Sequence, residues 1–261
     1  MNTRTLPDLA KMLRAASASG NAVGALKDNN PWLSIADAYA IQMLNVDHRL
    51  KAGGKIIGKK VGLTSRAMQE FLGVNEPDFG HLFADMVYDE NVPLSIGDFL
   101  QPKVEAELAF ILGEDLKGPG VTLAGVLRAC AGVMASFEVV DSRIADWKIR
   151  IEDTVADNGS GAGVVLGSEL TPASGCNLKY VGLVLEKNGQ IVDTAAGGAV
   201  LGHPGNAVAW LANTLGAMGT TLHKGEIILS GSFTKAYPVV AGDVFNAHFG
   251  GIGSVKISFA E

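Results

Sequence analysis

Three glutamates lie in apolar segments of the chain and could together hold a metal ion. Glu105 and Glu107 are one residue apart within residues 104–112, whose other members are all apolar. Alternate side chains of a β-strand share a face, so the two carboxylates are predicted to project together, roughly 7 Å apart, from the face opposite the apolar residues. Glu138 lies in a second apolar segment, residues 137–140. Neighbouring carboxylates repel unless a cation or a proton lies between them, and an all-oxygen set favours Mg²⁺ or Mn²⁺.

The strand pattern alone leaves a second interpretation open. Two acidic residues on the outer face of a half-buried antiparallel strand are commonly solvated and bind nothing. Glu138 favours the metal site, because an acidic residue between Phe137 and Val139 is seldom buried without a partner.

Two lysines between glycines could supply positive charge. Residues 58–65 read GKKVGLTS, and alternation in an extended segment sends Lys59 and Lys60 to opposite faces, so that one could face a cleft. The local sequence by itself favours two solvated surface lysines. The order Gly-x-x-x-x-Gly-Lys is absent, which excludes a P-loop.

Three later segments carry further polar side chains. Pro77 and Asp78 predict a turn, which gives little independent support for Asp78 as a catalytic acid or base. Arg143 could pair with a carboxylate of the protein or the substrate, or form a surface ion pair. Residues 155–163 predict a flexible glycine-rich loop, in which backbone N–H groups and the Ser160 hydroxyl could bind an anion.

Other reaction classes lack their motifs. The glycine-rich loop does not have the Gly-x-Gly-x-x-Gly spacing of a dinucleotide site. The five histidines are scattered without a His-x-x-x-His pair, and the residues around Ser160 do not have the spacing of a nucleophile elbow. Serine-hydrolase chemistry therefore has no support.

Composition limits the partners and the location. The chain has 261 residues, of which 48% are hydrophobic, enough to bury the core of one large domain. A net charge of −6 argues against nucleic acid, and an anionic substrate would need local positive charge from a metal, a lysine or an arginine. The two cysteines form no CxxC motif, and we see neither a signal sequence nor a membrane-spanning apolar stretch. We therefore expect a cytoplasmic protein without disulfides.

Periodicity predicts a helical N-terminal region followed mainly by strands. A first helix begins near Pro7, and its predicted apolar face is Leu9, Met12, Leu13 and Ala16. A second follows Ser34 as its N-cap and ends at Gly53-Gly54, with a predicted apolar face of Ile35, Tyr39, Met43, Val46 and Leu50.

The remaining elements predict a mixed, mainly β domain with helices packed outside it. Three further helices are expected: a short one carrying Ala67, Met68, Phe71 and Leu72, one over residues 122–130, and one from Pro204 with Val208, Leu211, Ala212, Leu215 and Met218 on one face. Besides the two glutamate-bearing strands, strands are expected at residues 55–58, 178–186, 190–192, 227–229, 244–247 and 255–259.

In this order the segments resemble the fumarylacetoacetate hydrolase superfamily, and within it the 2-keto-4-pentenoate (2-hydroxypenta-2,4-dienoate) hydratases of aromatic meta-cleavage pathways. The resemblance runs over nearly the whole chain and is carried by residues 58–65, 69–80, 101–107, 137–143, 146–148, 153–158 and 201–204.

The resemblance implies both a fold and a site. The fold is α+β, with a mixed, mainly β rolled core, peripheral helices and a small N-terminal region over residues 1–80; residues 81–261 form the catalytic core. The implied ligands of Mg²⁺ or Mn²⁺ are Glu105, Glu107 and Glu138. The implied catalytic residues, which line the same cleft, are Lys60, Asp78 and Ser160. Lys60 and Asp78 are candidates for proton transfer, and Ser160 for positioning water or the substrate carboxylate. A homo-oligomer is also implied.

The implied activity is that of a hydro-lyase acting on a small anionic 2-hydroxy or 2-oxo acid. It adds water to 2-hydroxypenta-2,4-dienoate and gives 4-hydroxy-2-oxopentanoate. The sister group of 4-oxalocrotonate decarboxylases is the alternative, but Lys59, residues 77–80 and residues 146–148 favour the hydratase. Hydrolysis of a C–C bond needs a His/Glu pair that we do not identify. A non-catalytic metal-binding partner of a pathway complex would need neither Lys60 nor Asp78. Because related hydratases and decarboxylases associate, a pathway decarboxylase or aldolase is a further expected partner.

Overall fold

The computed structural model describes residues 4–66, 69–70 and 73–261. Within these ranges the helices are α1 (Leu6–Ser19), α2 (Leu26–Asn29), α3 (Ile35–Lys51), α4 (Leu123–Ala129), α5 (Ile151–Ala156) and α6 (Pro204–Ala217). The strands are β1 (Ile56–Gly62), β2 (Asp78–Phe83), β3 (Val87–Tyr88), β4 (Leu94–Ser95), β5 (Lys103–Leu112), β6 (Cys130–Val140), β7 (Gly161–Leu166), β8 (Gly182–Lys187), β9 (Gln190–Ala196), β10 (Ile227–Leu229), β11 (Tyr237–Pro238), β12 (Val244–Phe249) and β13 (Gly253–Ala260).

The strands form two sheets. The larger one is curled into a half-barrel with the order β2-β1-β10-β5-β6-β7-β3, and β11 pairs with the first part of β5. Strands β1 and β10 are parallel, as are β3 and β7, whereas the other neighbours are antiparallel. The second sheet has the order β4-β13-β12-β8-β9. The predicted α+β fold with a rolled, mainly β core is confirmed.

The main hydrophobic core lies between the two sheets. Alternate residues of β5 point into it: Val104, Ala106, Leu108, Phe110 and Leu112. They pack with the inner faces of β12 and β13, for example Phe245 and Ile257, and with α6. The predicted apolar face of β5 is therefore confirmed, and its other face is free to carry the glutamates.

The two N-terminal helices begin where the sequence predicts. The Ser34 side chain accepts from the Asp37 N–H at 3.1 Å, and the Asp37 carboxylate accepts from the Ser34 N–H at 2.9 Å. This capping box starts α3 at Ile35. In α1, Leu9, Leu13 and Ala16 are buried as expected.

The predicted face of α3 is partly wrong. Val46 is buried and Tyr39 packs against the core as predicted. Ile35, Met43 and Leu50 are exposed, however, and Ala38, Ile41 and Gln42 are buried in their place. The reason is a polar anchor: Gln42 Nε2 donates to the Phe79 carbonyl at 3.0 Å and to the Val155 carbonyl at 2.8 Å. Two hydrogen bonds inside the protein fix the rotation of α3, which hydrophobic periodicity does not reveal.

The N-terminal helices pack onto the later helix α5. Most of their buried apolar residues form one cluster with Ile144, Val155 and Ala156. The Asp153 carboxylate accepts from the backbone N–H of Leu26 at 2.6 Å and of Lys27 at 3.2 Å, at the start of α2. Residue 80 lies inside β2 of the larger sheet. The division at residues 80 and 81 stays a prediction.

Several boundaries differ from the predictions. Residues 155–163 are not one loop, because α5 ends at Ala156, a buried turn covers residues 158–160 and β7 begins at Gly161. Strand β8 begins at Gly182 instead of residue 178, since residues 178–180 form a turn. Met218 caps the C-terminus of α6 and is 59% exposed.

Two further expectations concern helices. The short helix predicted around Ala67, Met68, Phe71 and Leu72 falls on four residues that lie outside the described ranges. Of the helices that the structure describes, none is long and apolar enough to cross a membrane.

Candidate active site

The pairing of β5 with β6 brings the three glutamates together. Glu105 lies directly opposite Glu138, and Glu107 lies opposite Ser136, two residues further along β5 on the same face. One carboxylate oxygen from each of the three glutamates lies within 4.8 Å of the others. Like charges directly opposite each other destabilise a sheet, so this arrangement requires a compensating positive charge or proton.

The carboxylates are largely withdrawn from solvent. Glu107 is 1% exposed and Glu138 is 0% exposed, while Glu105 is partly exposed. The Gly231 N–H donates to Glu107 Oε2 at 2.7 Å. Within the described ranges, Glu107 Oε1 and both carboxylate oxygens of Glu138 have no hydrogen-bond partner. The alternative of solvated surface acids on β5 is therefore wrong for Glu107.

The donor set fits a divalent cation. Burial, followed by the nearby Glu138 and Glu105, raises the pKa of Glu107 well above its ordinary value. Burial also raises the pKa of Glu138 to about 8, although Lys60 opposes the rise. Among the described residues, the cluster offers carboxylate oxygens without hydrogen-bond partners and with raised pKa values, and it includes no sulfur or nitrogen ligand. Mg²⁺ or Mn²⁺ prefers such an oxygen-only set.

Metal affinity is therefore expected to rise with pH. Below a pKa of about 8, a bound proton on Glu138 must leave before a cation can bind. Displacement of this one proton makes the affinity rise by up to about tenfold per pH unit below pH 8. Isothermal titration calorimetry with Mn²⁺ at pH 6, 7 and 8 measures this. An affinity that is flat over these three values would contradict it.

Lys60 of β1 supplies positive charge beside the glutamates. Its ammonium lies 3.5 Å from Glu138 Oε1 and donates to the Gly159 carbonyl at 2.9 Å. Burial would lower the pKa of Lys60, but Glu138, Asp78, Glu105 and Glu107 outweigh it and raise the pKa. The ammonium is therefore protonated throughout the neutral range.

The preference for two surface lysines is wrong. Lys59 and Lys60 are each 4% exposed, because β1 is an interior strand between β2 and β10 with both faces covered. On the face opposite Lys60, the Lys59 ammonium lies 3.3 Å from Glu226 Oε1. The two lysines point to opposite faces of β1 as predicted, but each ammonium lies beside a buried or half-buried carboxylate.

Asp78 begins β2 directly opposite Gly62 of β1 and does not lie in a turn. The carboxyl group is 1% exposed, and within the described part of the chain neither oxygen has a hydrogen-bond partner. Burial raises the pKa of Asp78, while Lys60 opposes the rise. A Cβ atom added to Gly62 would lie 2.1 Å from Asp78 Oδ1 and 3.2 Å from Lys60 Nζ. Asp78 and Lys60 therefore share the space that glycine leaves open.

Ser160 is buried, and its hydroxyl donates to Asp157 Oδ2 at 3.3 Å. The backbone on each side of Ser160 contacts the carboxylate cluster: Gly159 accepts from Lys60, and a Cβ atom on Gly161 would lie 3.3 Å from Glu138 Oε1. Asp157 also pairs with Arg143, whose side chain is 12% exposed. Of the alternatives for Arg143, pairing with a protein carboxylate is therefore the correct one.

Sequence reasoning missed the segment that follows β10. The Gly231 N–H contacts Glu107, and the hydroxyl groups of Ser230 and Ser232 are buried and without a partner in the described ranges. The available signal was the sequence Ser-Gly-Ser immediately after an apolar strand.

Comparisons with known proteins agree with this geometry. Residues 55–260 match the model of the fumarylacetoacetate (FAA) hydrolase C-terminal family. The chain is 46% identical over 261 residues to a 2-keto-4-pentenoate hydratase of Paraburkholderia xenovorans, covering 99% of this chain and 96% of that relative. It is 44% identical over 251 residues to a 2-hydroxyhexa-2,4-dienoate hydratase of Comamonas testosteroni, covering 95% of each.

A solved structure extends the likeness to three dimensions. The 4-oxalocrotonate decarboxylase of Pseudomonas putida G7, complexed with magnesium and adipate, superposes with a TM-score of 0.94 at 34% identity over 97% of each chain. Family model, sequence relatives and solved structure agree, and the chain belongs to the fumarylacetoacetate hydrolase family.

Proposed function

We propose that the chain is a metal-dependent hydro-lyase that adds water to 2-hydroxypenta-2,4-dienoate and gives 4-hydroxy-2-oxopentanoate. The observation that carries the proposal is the buried group of three glutamates facing Lys60 and Asp78. Relatives that are 46% and 44% identical over almost the whole chain are dienoate hydratases, which supports this reaction for a site of this composition.

Glu105, Glu107 and Glu138 would hold the Mg²⁺ or Mn²⁺ ion. A cation there would supply Lewis-acid stabilisation of negative charge on an anionic 2-oxo acid. It would also compensate the excess of carboxylates, which one lysine ammonium cannot balance. The chain's net charge of −6 gives an anionic substrate no general attraction, so local positive charge has to recruit it.

Asp78 and Lys60 are the groups placed to move protons. The reaction requires the enol proton of the dienoate to leave, a proton to reach C5, and water to add with its oxygen at C4 and a proton at C3. Burial raises the pKa of the Asp78 carboxyl group, which favours its protonated form and suits it to give a proton to carbon. The Lys60 ammonium can stabilise the charge that develops when Asp78 is ionised. Ser160 is assigned to positioning, through its hydroxyl or through the backbone on each side of it.

A decarboxylase is the second candidate, because the structural likeness to 4-oxalocrotonate decarboxylase is close. Two of the residues that favour the hydratase have structural partners in the protein. Lys59 pairs with Glu226, and Trp147 donates to the Gln101 carbonyl at 3.0 Å. Within the part of the chain that the structure describes, the Asp78 carboxylate has no hydrogen-bond partner, and it lies close to Lys60. The choice between the two reactions therefore rests on Asp78 and on the higher identity to hydratases.

A direct assay separates the two reactions. We expect rapid loss of the ultraviolet absorbance of 2-hydroxypenta-2,4-dienoate with Mg²⁺ or Mn²⁺, little loss after chelation, and a product whose mass has increased by one water. Carbon dioxide release from 4-oxalocrotonate should be slow. Brisk decarboxylation without hydration would reverse the assignment, and neither activity would favour a non-catalytic metal-binding protein.

Homo-oligomeric assembly, association with a pathway decarboxylase or aldolase, and a cytoplasmic location stay predictions. Sedimentation velocity of the purified chain, alone and mixed with such an enzyme, measures the first two.

A further inference from the structure

Residues 158–160 form an unusual turn between α5 and β7. The φ angles of Asn158, Gly159 and Ser160 are +59°, +62° and +54°, so three consecutive residues are left-handed. Left-handed backbone is unfavourable for residues with a side chain and usually occurs at single positions. Such a conformation persists only where the surrounding structure holds it.

The side chain of Asn158 supplies that support. Its Oδ1 accepts from the His81 N–H at 2.7 Å, and its Nδ2 donates to the His81 carbonyl at 2.9 Å. This two-way amide clamp attaches the turn to β2. The fit is close, because a Cβ atom on the neighbouring Gly80 would lie 2.3 Å from the Asn158 carbonyl oxygen. The His81 ring is held in turn, with Nδ1 lying 3.0 Å from Gln42 Oε1.

The turn held by this clamp places one backbone hydrogen-bond acceptor in the site. The left-handed geometry directs the Gly159 carbonyl at the Lys60 ammonium, 2.9 Å away. The turn also packs closely against the Lys60 side chain and restricts its movement, since a Cβ atom on Gly159 would lie 3.0 Å from Lys60 Cδ. Lys60 therefore has one neutral acceptor from the turn, which sets its position relative to Glu138 and Asp78.

We propose that Asn158 is a positioning residue, whose two hydrogen bonds to His81 hold the left-handed turn so that the Gly159 carbonyl fixes the Lys60 ammonium beside Asp78 and Glu138. The inference rests on the proposed function, because it gives Lys60 a part in the reaction. The three glutamates lie on β5 and β6, which Asn158 does not hold. Loss of the clamp should thus impair turnover much more than metal binding.

Asn158→Gly tests this, because glycine adopts the left-handed backbone without strain but cannot form the clamp. We expect kcat to fall at least about tenfold with KM nearly unchanged, since a misplacement of about 1 Å can cost as much as 10²-fold in rate. Mn²⁺ affinity by calorimetry should change much less than kcat, because the three glutamates keep their places on β5 and β6. Asn158→Asp retains the acceptor for the His81 N–H and tolerates the backbone, so it should restore part of kcat.

The chain offers a matched control in Asn213 of α6. Its Oδ1 accepts from the Val121 N–H at 2.9 Å, and its Nδ2 donates to the Val121 carbonyl at 2.9 Å. Asn213→Ala removes an equivalent two-way clamp away from the site, so it should lower the melting temperature and leave kcat unchanged. A kinetic defect in Asn158→Gly alone would assign the effect to position and not to lost stability.

A crystal structure of Mn²⁺-loaded Asn158→Gly gives a readout that needs no turnover. We expect the Lys60 Nζ to Gly159 O distance to exceed 3.5 Å, the limit of a hydrogen bond. An unchanged distance, a kcat within twofold of an active wild type, or equal losses of kcat and Mn²⁺ affinity would each overturn the inference. If the wild type itself does not hydrate the dienoate, the proposed function fails, while the crystal structure still decides whether Asn158 positions Lys60.

Discussion

Replacing Glu107 with glutamine is expected to abolish metal-dependent hydration while the protein remains folded. Glu107 is one of three candidate ligands, and its Oε1 has no partner within the described chain. Loss of residues that only support a ligand costs 10- to 100-fold in metal affinity, so loss of a ligand should cost at least about 10²-fold. Calorimetry with Mn²⁺ measures the affinity, and the ultraviolet assay measures the activity.

Melting temperatures measured with and without Mn²⁺ test the same metal site independently of activity. Without metal, Glu107→Gln should be at least as stable as the wild type, because burial and the nearby carboxylates make ionised Glu107 unfavourable. With saturating Mn²⁺, only the wild type should gain stability, since a ligand stabilises the state that binds it. Glu226→Gln is the matched control, as it removes the carboxylate that pairs with Lys59 outside the cluster and should leave metal affinity unchanged. Wild-type Mn²⁺ affinity in Glu107→Gln would refute the site.

Asp78→Asn should reduce kcat by at least about 10²-fold with metal affinity preserved. Asparagine has nearly the shape of aspartate but cannot give up or take up the proton that acid–base catalysis requires, and such catalysis typically contributes 10²–10⁴-fold. Burial raises the pKa of Asp78 and so favours the protonated form of the wild-type carboxyl group, whose proton asparagine cannot supply. Steady-state kinetics with 2-hydroxypenta-2,4-dienoate and Mn²⁺ calorimetry test the two halves of the prediction.

Asp153→Asn is the control for this change. Asp153 is also a buried carboxylate, but it accepts hydrogen bonds at the start of α2 and lies outside the cluster. Its loss should lower the melting temperature and leave kcat close to that of the wild type. An Asp78→Asn variant with wild-type turnover would remove Asp78 from the mechanism and would also weaken the distinction between hydratase and decarboxylase.

The glutamate pair on β5 could be recognised from the sequence because the relevant physics is local. Alternation along a strand separates Glu105 and Glu107 from the apolar residues between them, whatever the strand packs against. The capping box at Ser34 is local in the same way, since it needs only residues three apart. By contrast, the face of α3 that is buried depends on the backbone carbonyls of Phe79 and Val155, which lie far away in the chain.

The contacts that make the site chemically distinctive are non-local. Glu138 becomes the partner of Glu105 only through the register of β5 and β6, and a shift by one residue would move its side chain to the other face. The burial of Lys60 depends on β2 and β10 covering β1, so a local pattern typical of surface lysines was misleading.

By itself the sequence determined the family resemblance, the mainly β character of the chain and the identities of Glu105, Glu107, Glu138, Lys60 and Asp78 as candidates. The tertiary structure decided which of their oxygens lack partners among the described residues, and it placed Asn158 against His81, a contact that the glycine-rich sequence did not indicate. The physical reason is that residue type and alternation are properties of a segment. Register, burial and the pKa shifts that follow from burial depend on segments that meet only when the chain folds.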